Sequence, residues 1–168
     1  MTPEQKANLA TLATYLEAHV PPPEFGMSGF LDVPYDVQPD DDEFEYDEYV
    51  PNNLEIYHTC GTSACAVGHG PLAMPDSLTE KGETWNEYSR RMFGCGLYTA
   101  FNKFNWMFGY EWAQIDDTPT GAAARIRYFL DKPSRRTYPD PDDFDWSGFG
   151  EQDPKYTKLI APFLKVTA

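Results

Sequence analysis

Basic residues are missing from a long stretch of this 168-residue chain: no Lys or Arg occurs between Lys6 and Lys81. The same stretch contains fourteen acidic residues, whereas the rest of the chain has thirteen acids and thirteen bases. The formal net charge of −14 therefore arises from this one stretch. A field of this sign repels nucleic acids and anionic membranes and attracts basic surfaces.

Long apolar runs are also missing, since none approaches the roughly 20 residues of a membrane helix. The N-terminal sequence MTPEQKANLATLA lacks the basic region and the apolar stretch of a signal peptide. Only three cysteines are present, an odd number that suits a reducing compartment better than secretion. We therefore expect a soluble, cytoplasmic protein. No phosphate-binding glycine pattern and no internal repeat is found.

Aromatic residues are abundant and offset a modest apolar fraction of 41%. The 26 Phe, Tyr and Trp residues can bury about 150–250 Å² each, which supplies a core without a metal or a disulfide. Fifteen Pro and twelve Gly indicate short elements joined by many loops. The sequence predicts a mainly α fold: a compact single domain over residues 1–168, with about four to five short helices and long Pro-rich, acidic-aromatic loops.

Helix signals divide the chain. Thr2, Pro3 and Gln5 form a capping-box pattern that predicts a helix over roughly residues 3–19. Asp116 and Asp117 precede another helix start, where the helix dipole favours negative charge. Further helical spacing of apolar residues occurs at 85–93, at 98–112 and after Pro119.

Two acidic loops lie outside these helices. Residues 21–53 are predicted as an acidic-aromatic loop insert whose rings turn inward, and residues 133–154 as a second acidic loop. A solvated loop with no partner is the alternative interpretation of the first. The candidate binding surface for a basic partner comprises eight carboxylates of the first loop: Asp36, Asp40, Asp41, Asp42, Glu43, Glu45, Asp47 and Glu48.

Cysteine and histidine concentrate between His58 and His69. Leu54 and Ile56 alternate with polar residues as in a short strand or an entry segment, and a helix is expected from Thr62 or Ser63 through about His69. Cys65 and His69 would then share one helical face. With two further cysteines they could form a tetrahedral zinc site, whose four ligands would be Cys60, Cys65, His69 and Cys95.

Other interpretations of this cluster remain open. Cys65 could be a nucleophile with His69 or His58 as its base, or Cys60 and Cys65 could form a disulfide. The favoured interpretation is structural, with small residues that allow the 98–112 helix to approach closely. We accordingly expect no cofactor, and no enzymatic activity.

The string CGTSACAVGHG, a later aromatic WMF…W segment and DDTPTGAAARI resemble a group of small uncharacterised proteins of bacteria and their phages. That group shares a CGT-x-x-C-x-x-G core and a TP-x-x-A-x-x-R-I helix start. The similarity covers roughly residues 54–130 and lacks the acidic insert. It implies a compact α-rich domain and a phage or mobile-element setting, hence the host cytoplasm, but no activity.

Three functions are compatible with these features. The first is an acidic interaction protein that binds a basic host protein, typically a nucleic-acid-binding one, as an anti-defence inhibitor of CRISPR or restriction machinery. It would contact neither nucleic acid nor membrane directly. The second is a zinc-containing or Cys/His-based small enzyme or small-molecule binder. The third is a virion or assembly component that contacts a basic capsid face.

Overall fold

The computed structural model of the protein describes residues 1–27, 29–33, 48–58, 62–78, 83–97, 103–114 and 116–131. The second acidic loop predicted at 133–154 lies outside these residues. Within them the fold is mainly α, as predicted, with one small antiparallel sheet. Its elements are α1 (Pro3–His19), β1 (Leu31–Asp32), β2 (Ser63–Ala64), α2 (Gly70–Ala73), α3 (Trp85–Phe93), α4 (Lys103–Phe108) and α5 (Pro119–Asp131).

Helix α1 lies at the centre of the fold and contacts α5, α3 and α2. Its predicted capping box is present: the backbone N–H of Gln5 donates to the Thr2 hydroxyl (3.2 Å) and that of Thr2 to the Gln5 side chain (2.8 Å). The helix ends before Pro21, which cannot continue the hydrogen-bond ladder. Its apolar face is fully buried and comprises Leu9, Leu12, Ala13 and Leu16.

Helix α3 has the same kind of start and a glycine stop. Thr84 and Glu87 form a second capping box, a pattern that the sequence contains. Gly94 follows the last turn with a φ of 69°, a left-handed conformation that glycine adopts without strain. The predicted break after Phe93 is therefore confirmed.

The segment before α2 is not helical. Ser63 and Ala64 pair with Asp32 and Leu31 as β2, so the helix predicted from Thr62 to His69 is wrong. A single hydrogen-bonded turn follows, in which the His69 N–H donates to the Cys65 carbonyl (3.0 Å). Tertiary pairing with β1 overrides the local helix signal here. The strand expected at Leu54 is instead a 3₁₀ helix over Leu54–His58.

Two glycines near β2 permit close packing, though with other partners than the 98–112 helix. A Cβ added to Gly68 would lie 1.8 Å from the carbonyl oxygen of Phe30. One added to Gly70 would lie 2.7 Å from the hydroxyl of Tyr88 in α3. The small residues thus accommodate the segment entering β1 and an aromatic side chain of α3.

The helix predicted over 98–112 is shorter than expected. Residues 98–102 lie outside the described residues, and α4 ends at Phe108, before a 3₁₀ turn at Tyr110–Gln114. Helix α5 begins at Pro119 as predicted and buries Ala122, Ile126 and Phe129. The described buried residues form one hydrophobic core. None of the helices in the described ranges has both the length and the apolar character needed to cross a bilayer.

Candidate functional site

The Cys/His cluster is mostly buried. Cys65, His69 and Cys95 are 3%, 4% and 1% exposed, and Cys60 lies outside the described residues. Among the residues that the structure describes, no three His, Cys, Asp or Glu side chains are grouped so that they could hold a metal ion. Cys65, His69 and Cys95 therefore do not form a site by themselves, and the four-ligand zinc site stays a prediction.

Burial also limits the reactivity of the described cysteines. It raises the pKa of the Cys95 thiol to about 12, so this group is protonated at neutral pH. Its backbone carbonyl accepts a hydrogen bond from the Ser89 hydroxyl at 2.7 Å. Cys65 and Cys95 are both enclosed by the core. They behave as small apolar residues rather than as accessible nucleophiles.

His69 is a structural histidine. Its Nε2 lies 3.1 Å from the carbonyl oxygen of Glu24, and because a carbonyl only accepts, Nε2 carries the proton. The ring stacks on Phe25 with centroids 6.0 Å apart. Burial lowers the pKa of His69 to about 4, although the carbonyls of Glu24 and Ala64 oppose the shift. The imidazole is thus neutral at pH 7 and ties the 3₁₀ turn at Pro22–Glu24 to the turn before α2.

This neutral His69 predicts a pH dependence of stability. The unfolded chain takes up a proton near pH 6.5 but the folded chain only near pH 4, so acid favours unfolding. The free energy of unfolding should fall by about 3 kcal/mol as the pH drops from 6.5 to 4, and no further from this group below that range. Denaturant unfolding at a series of pH values measures the effect.

The matched variant is His69→Gln, which keeps a donor for the Glu24 carbonyl but does not titrate. Its stability should fall less steeply than that of the native chain over the same pH range. His58→Gln, at an exposed position, is the control and should leave the slope unchanged. Equal slopes for His69→Gln and the native chain would contradict the assignment.

Positions 34–47, which carry seven of the eight residues of the predicted acidic surface, are flanked in the sequence by residues that contact the start of α3. On one side the Phe30 ring, just before β1, stacks on Trp85 with centroids 5.6 Å apart. On the other side the backbone N–H of Trp85 donates to the Glu48 carbonyl at 3.1 Å. The next residue, Tyr49, forms a bridge with Thr84. Phe30 and Glu48, which lie on either side of positions 34–47 in the sequence, therefore both contact the same residue, Trp85.

The predicted acidic surface itself is described only in part. Glu48 is exposed. The other seven residues lie outside the described residues: Asp36, Asp40, Asp41, Asp42, Glu43, Glu45 and Asp47.

Three of the described arginines pair with acids outside positions 36–48. Arg91 bonds Glu83 at 2.8 Å. Arg127 donates through Nε to Glu17 at 2.9 Å. The Nη1 atom of Arg125 lies 3.8 Å from Asp116. These ion pairs balance charge locally, at positions other than 36–48.

Asp116 and Asp117 do more than complement the helix dipole. The N-cap of α5 is Thr118, whose hydroxyl accepts from the Gly121 N–H at 3.0 Å. Asp117 instead accepts from the backbone N–H of Met27 at 2.7 Å and fixes the segment that leads to β1. Asp116 faces the buried Arg125, so the sequence interpretation of this pair was incomplete.

Arg125 is a buried charge that sequence analysis missed. It is 1% exposed, and its guanidinium lies 4.2 Å from the centre of the Trp112 ring. Position 125 follows Ala122 by three residues and precedes Phe129 by four, which places it on the buried face of α5. That spacing was the available signal.

A surface groove of about 450 Å³ was also not anticipated. It lies on the exposed side of α1 and is lined by Ala10, Thr11, Thr14, Tyr15, His19 and Ala73. Thr11, Tyr15 and His19 recur every four residues, so they share one face of the helix.

Comparisons with protein-family models, with curated proteins and with solved structures return no match to this chain.

Proposed function

We propose that the protein is an acidic interaction protein that binds a basic, nucleic-acid-binding host protein through residues 36–48, in the manner of an anti-defence inhibitor. The observation that carries the proposal is that Phe30, which precedes this run of acidic residues, and Glu48, at its end, both contact Trp85. In this proposal the seven carboxylates of positions 36–47 act as one concentrated charge. A groove that binds nucleic acid selects largely on charge, so such a group competes with phosphates for it.

The contacts of Phe30 and Glu48 with Trp85 favour presentation of the acidic residues at a fixed place on the protein. Trp85 is buried and stacks on Phe30, and its N–H is bonded to Glu48. Helix α3, capped by Thr84 and Glu87, holds that tryptophan in place. A charge group held at a fixed place on a rigid body loses less entropy on binding than one on a free tail.

Removing charge from the run should weaken capture of the partner. In the test variant, Asp40, Asp41 and Asp42 are replaced by Asn, and tagged protein is used to capture proteins from host lysate at low and high salt. We expect at least about tenfold less captured protein than with the native chain, equivalent to roughly 1.4 kcal/mol. Captured protein should be released by high salt, which screens the attraction between the charges. Added duplex DNA should also release it, because the DNA competes for the basic surface of the partner.

The matched control removes the same three charges elsewhere. Glu4, Asp76 and Asp131 are exposed and lie outside the run, so their replacement by Gln or Asn should leave capture close to native. Equal losses in the two triple variants would show that net charge alone matters. Capture that persists at high salt would contradict a charge-driven interface.

A further inference from the structure

The groove on α1 has an aromatic wall that continues into the core. The Tyr15 ring is half-buried and lies 5.3 Å from the ring of His19 and 6.3 Å from that of His69, measured between centroids. His69 in turn stacks on Phe25. Four rings therefore run from the core to the surface. The outermost, Tyr15 and His19, line the groove and are backed by the others.

An exposed acidic residue, Glu24, lies near this wall. The Nε2 atom of His69 bonds the Glu24 carbonyl at 3.1 Å, which places Glu24 next to the ring that neighbours Tyr15. The nearby Glu24 carboxylate adds to burial in raising the pKa of the Tyr15 hydroxyl. Glu24 is exposed, and among the described residues its carboxylate forms no ion pair.

A second acid near the groove, Glu17 of α1, is already paired. Glu17 accepts hydrogen bonds from Arg127, whose guanidinium also donates to the hydroxyl of Thr14 at 3.4 Å. That guanidinium is therefore held beside the groove but is engaged with Glu17. Glu24 is left as the carboxylate available to an incoming cation.

We propose that this groove binds an arginine side chain of the basic partner. The guanidinium stacks on the Tyr15 ring and pairs with Glu24. A planar guanidinium can do both at once, whereas the compact, strongly hydrated ammonium of lysine suits such a site less well. The volume of about 450 Å³ accommodates one extended side chain. The identity of the partner rests on the proposed function, but the arginine site does not.

Titration with a small probe tests the site without the partner. The ¹⁵N-labelled full-length chain is titrated with N-acetyl-arginine amide, and the amide signals of Thr11, Tyr15 and Ala73 are followed. We expect saturable shifts at these positions. N-acetyl-citrulline amide, which has the same shape without the charge, should give none. Shifts confined to other parts of the chain, or equal shifts with citrulline, would overturn the proposal.

Two substitutions identify the contacts. Tyr15→Leu and Glu24→Gln should each weaken arginine binding about two- to fivefold or more. Glu4→Gln is the matched control, because Glu4 lies eleven residues from Tyr15, about 16 Å along the same helix, and should bind like the native chain. Unchanged affinity in both groove variants would disprove the site. The three-residue variant at 40–42 should bind the probe normally even if it captures no partner, so the two proposals fail independently.

Discussion

Replacing Gly68 with alanine is expected to destabilise the protein by about 3 kcal/mol or more. The new Cβ would lie 1.8 Å from the Phe30 carbonyl oxygen and 2.9 Å from the Cβ of Ala64. The first of these atoms belongs to the backbone, so no side-chain rotation relieves the overlap. The same carbonyl accepts from the Cys65 N–H at 3.3 Å, and moving it disturbs the approach of β1 to β2. Denaturant unfolding measures the loss.

Gly96→Ala is the matched control for this prediction. Its Cβ would meet Asn86 and Arg90 at 2.4–2.9 Å, but these are side-chain atoms of α3 that can rotate away. We expect less than half of the loss seen for Gly68→Ala. If the two variants lost equal stability, the backbone overlap at Gly68 would not be the cause.

Substitution of Arg125 by methionine should destabilise the protein by about 3–5 kcal/mol. The change removes the guanidinium that lies over Trp112 and leaves Asp116, whose side chain is 9% exposed, without its cation. A buried carboxylate that loses its partner keeps the full penalty of its desolvation. Chemical denaturation of the variant gives the value directly.

A double-mutant cycle separates the contribution of the Arg125–Asp116 ion pair to the free energy of unfolding from the contribution of side-chain packing. Asp116→Asn in the Arg125→Met background should cost much less than in the native chain, because the charge it removes is already unpaired. Arg127→Met is the control: its side chain is 44% exposed, and loss of its ion pair with Glu17 should cost about 1 kcal/mol or less. Strict additivity at positions 116 and 125 would contradict a direct interaction.

The helix boundaries were predictable where local chemistry decides them. Thr2 with Gln5 and Pro119 after Thr118 mark helix starts by hydrogen bonds within a few residues, and both starts are confirmed. The glycine after Phe93 ended α3 as expected. These signals depend on short-range geometry, which the sequence carries in full.

The 62–69 segment could not be assigned in this way. Its small residues are compatible with a helix, but Ser63 and Ala64 pair with residues more than thirty positions earlier. The residue just before β1, Phe30, also stacks on Trp85, another contact between distant parts of the chain. The pattern of apolar residues within the segment does not indicate that it pairs with β1.

The candidate sites were predictable to different degrees. The acidic run at positions 36–48 was evident from composition. The contacts of Phe30 and Glu48 with Trp85 could be found only from the fold. Arg125 could have been recognised as buried from its spacing with Ala122 and Phe129. Tyr15 and His19 lie one turn apart, but the sequence does not indicate that Glu24 folds back beside them through His69.

The contacts of Phe30 and Glu48 with Trp85 also bear on how the length of the chain between these two residues can change. When two ends of a segment are held side by side, doubling its length adds only about 0.6 kcal/mol of closure entropy. Insertions and deletions between Val33 and Glu48 should therefore cost the core little stability.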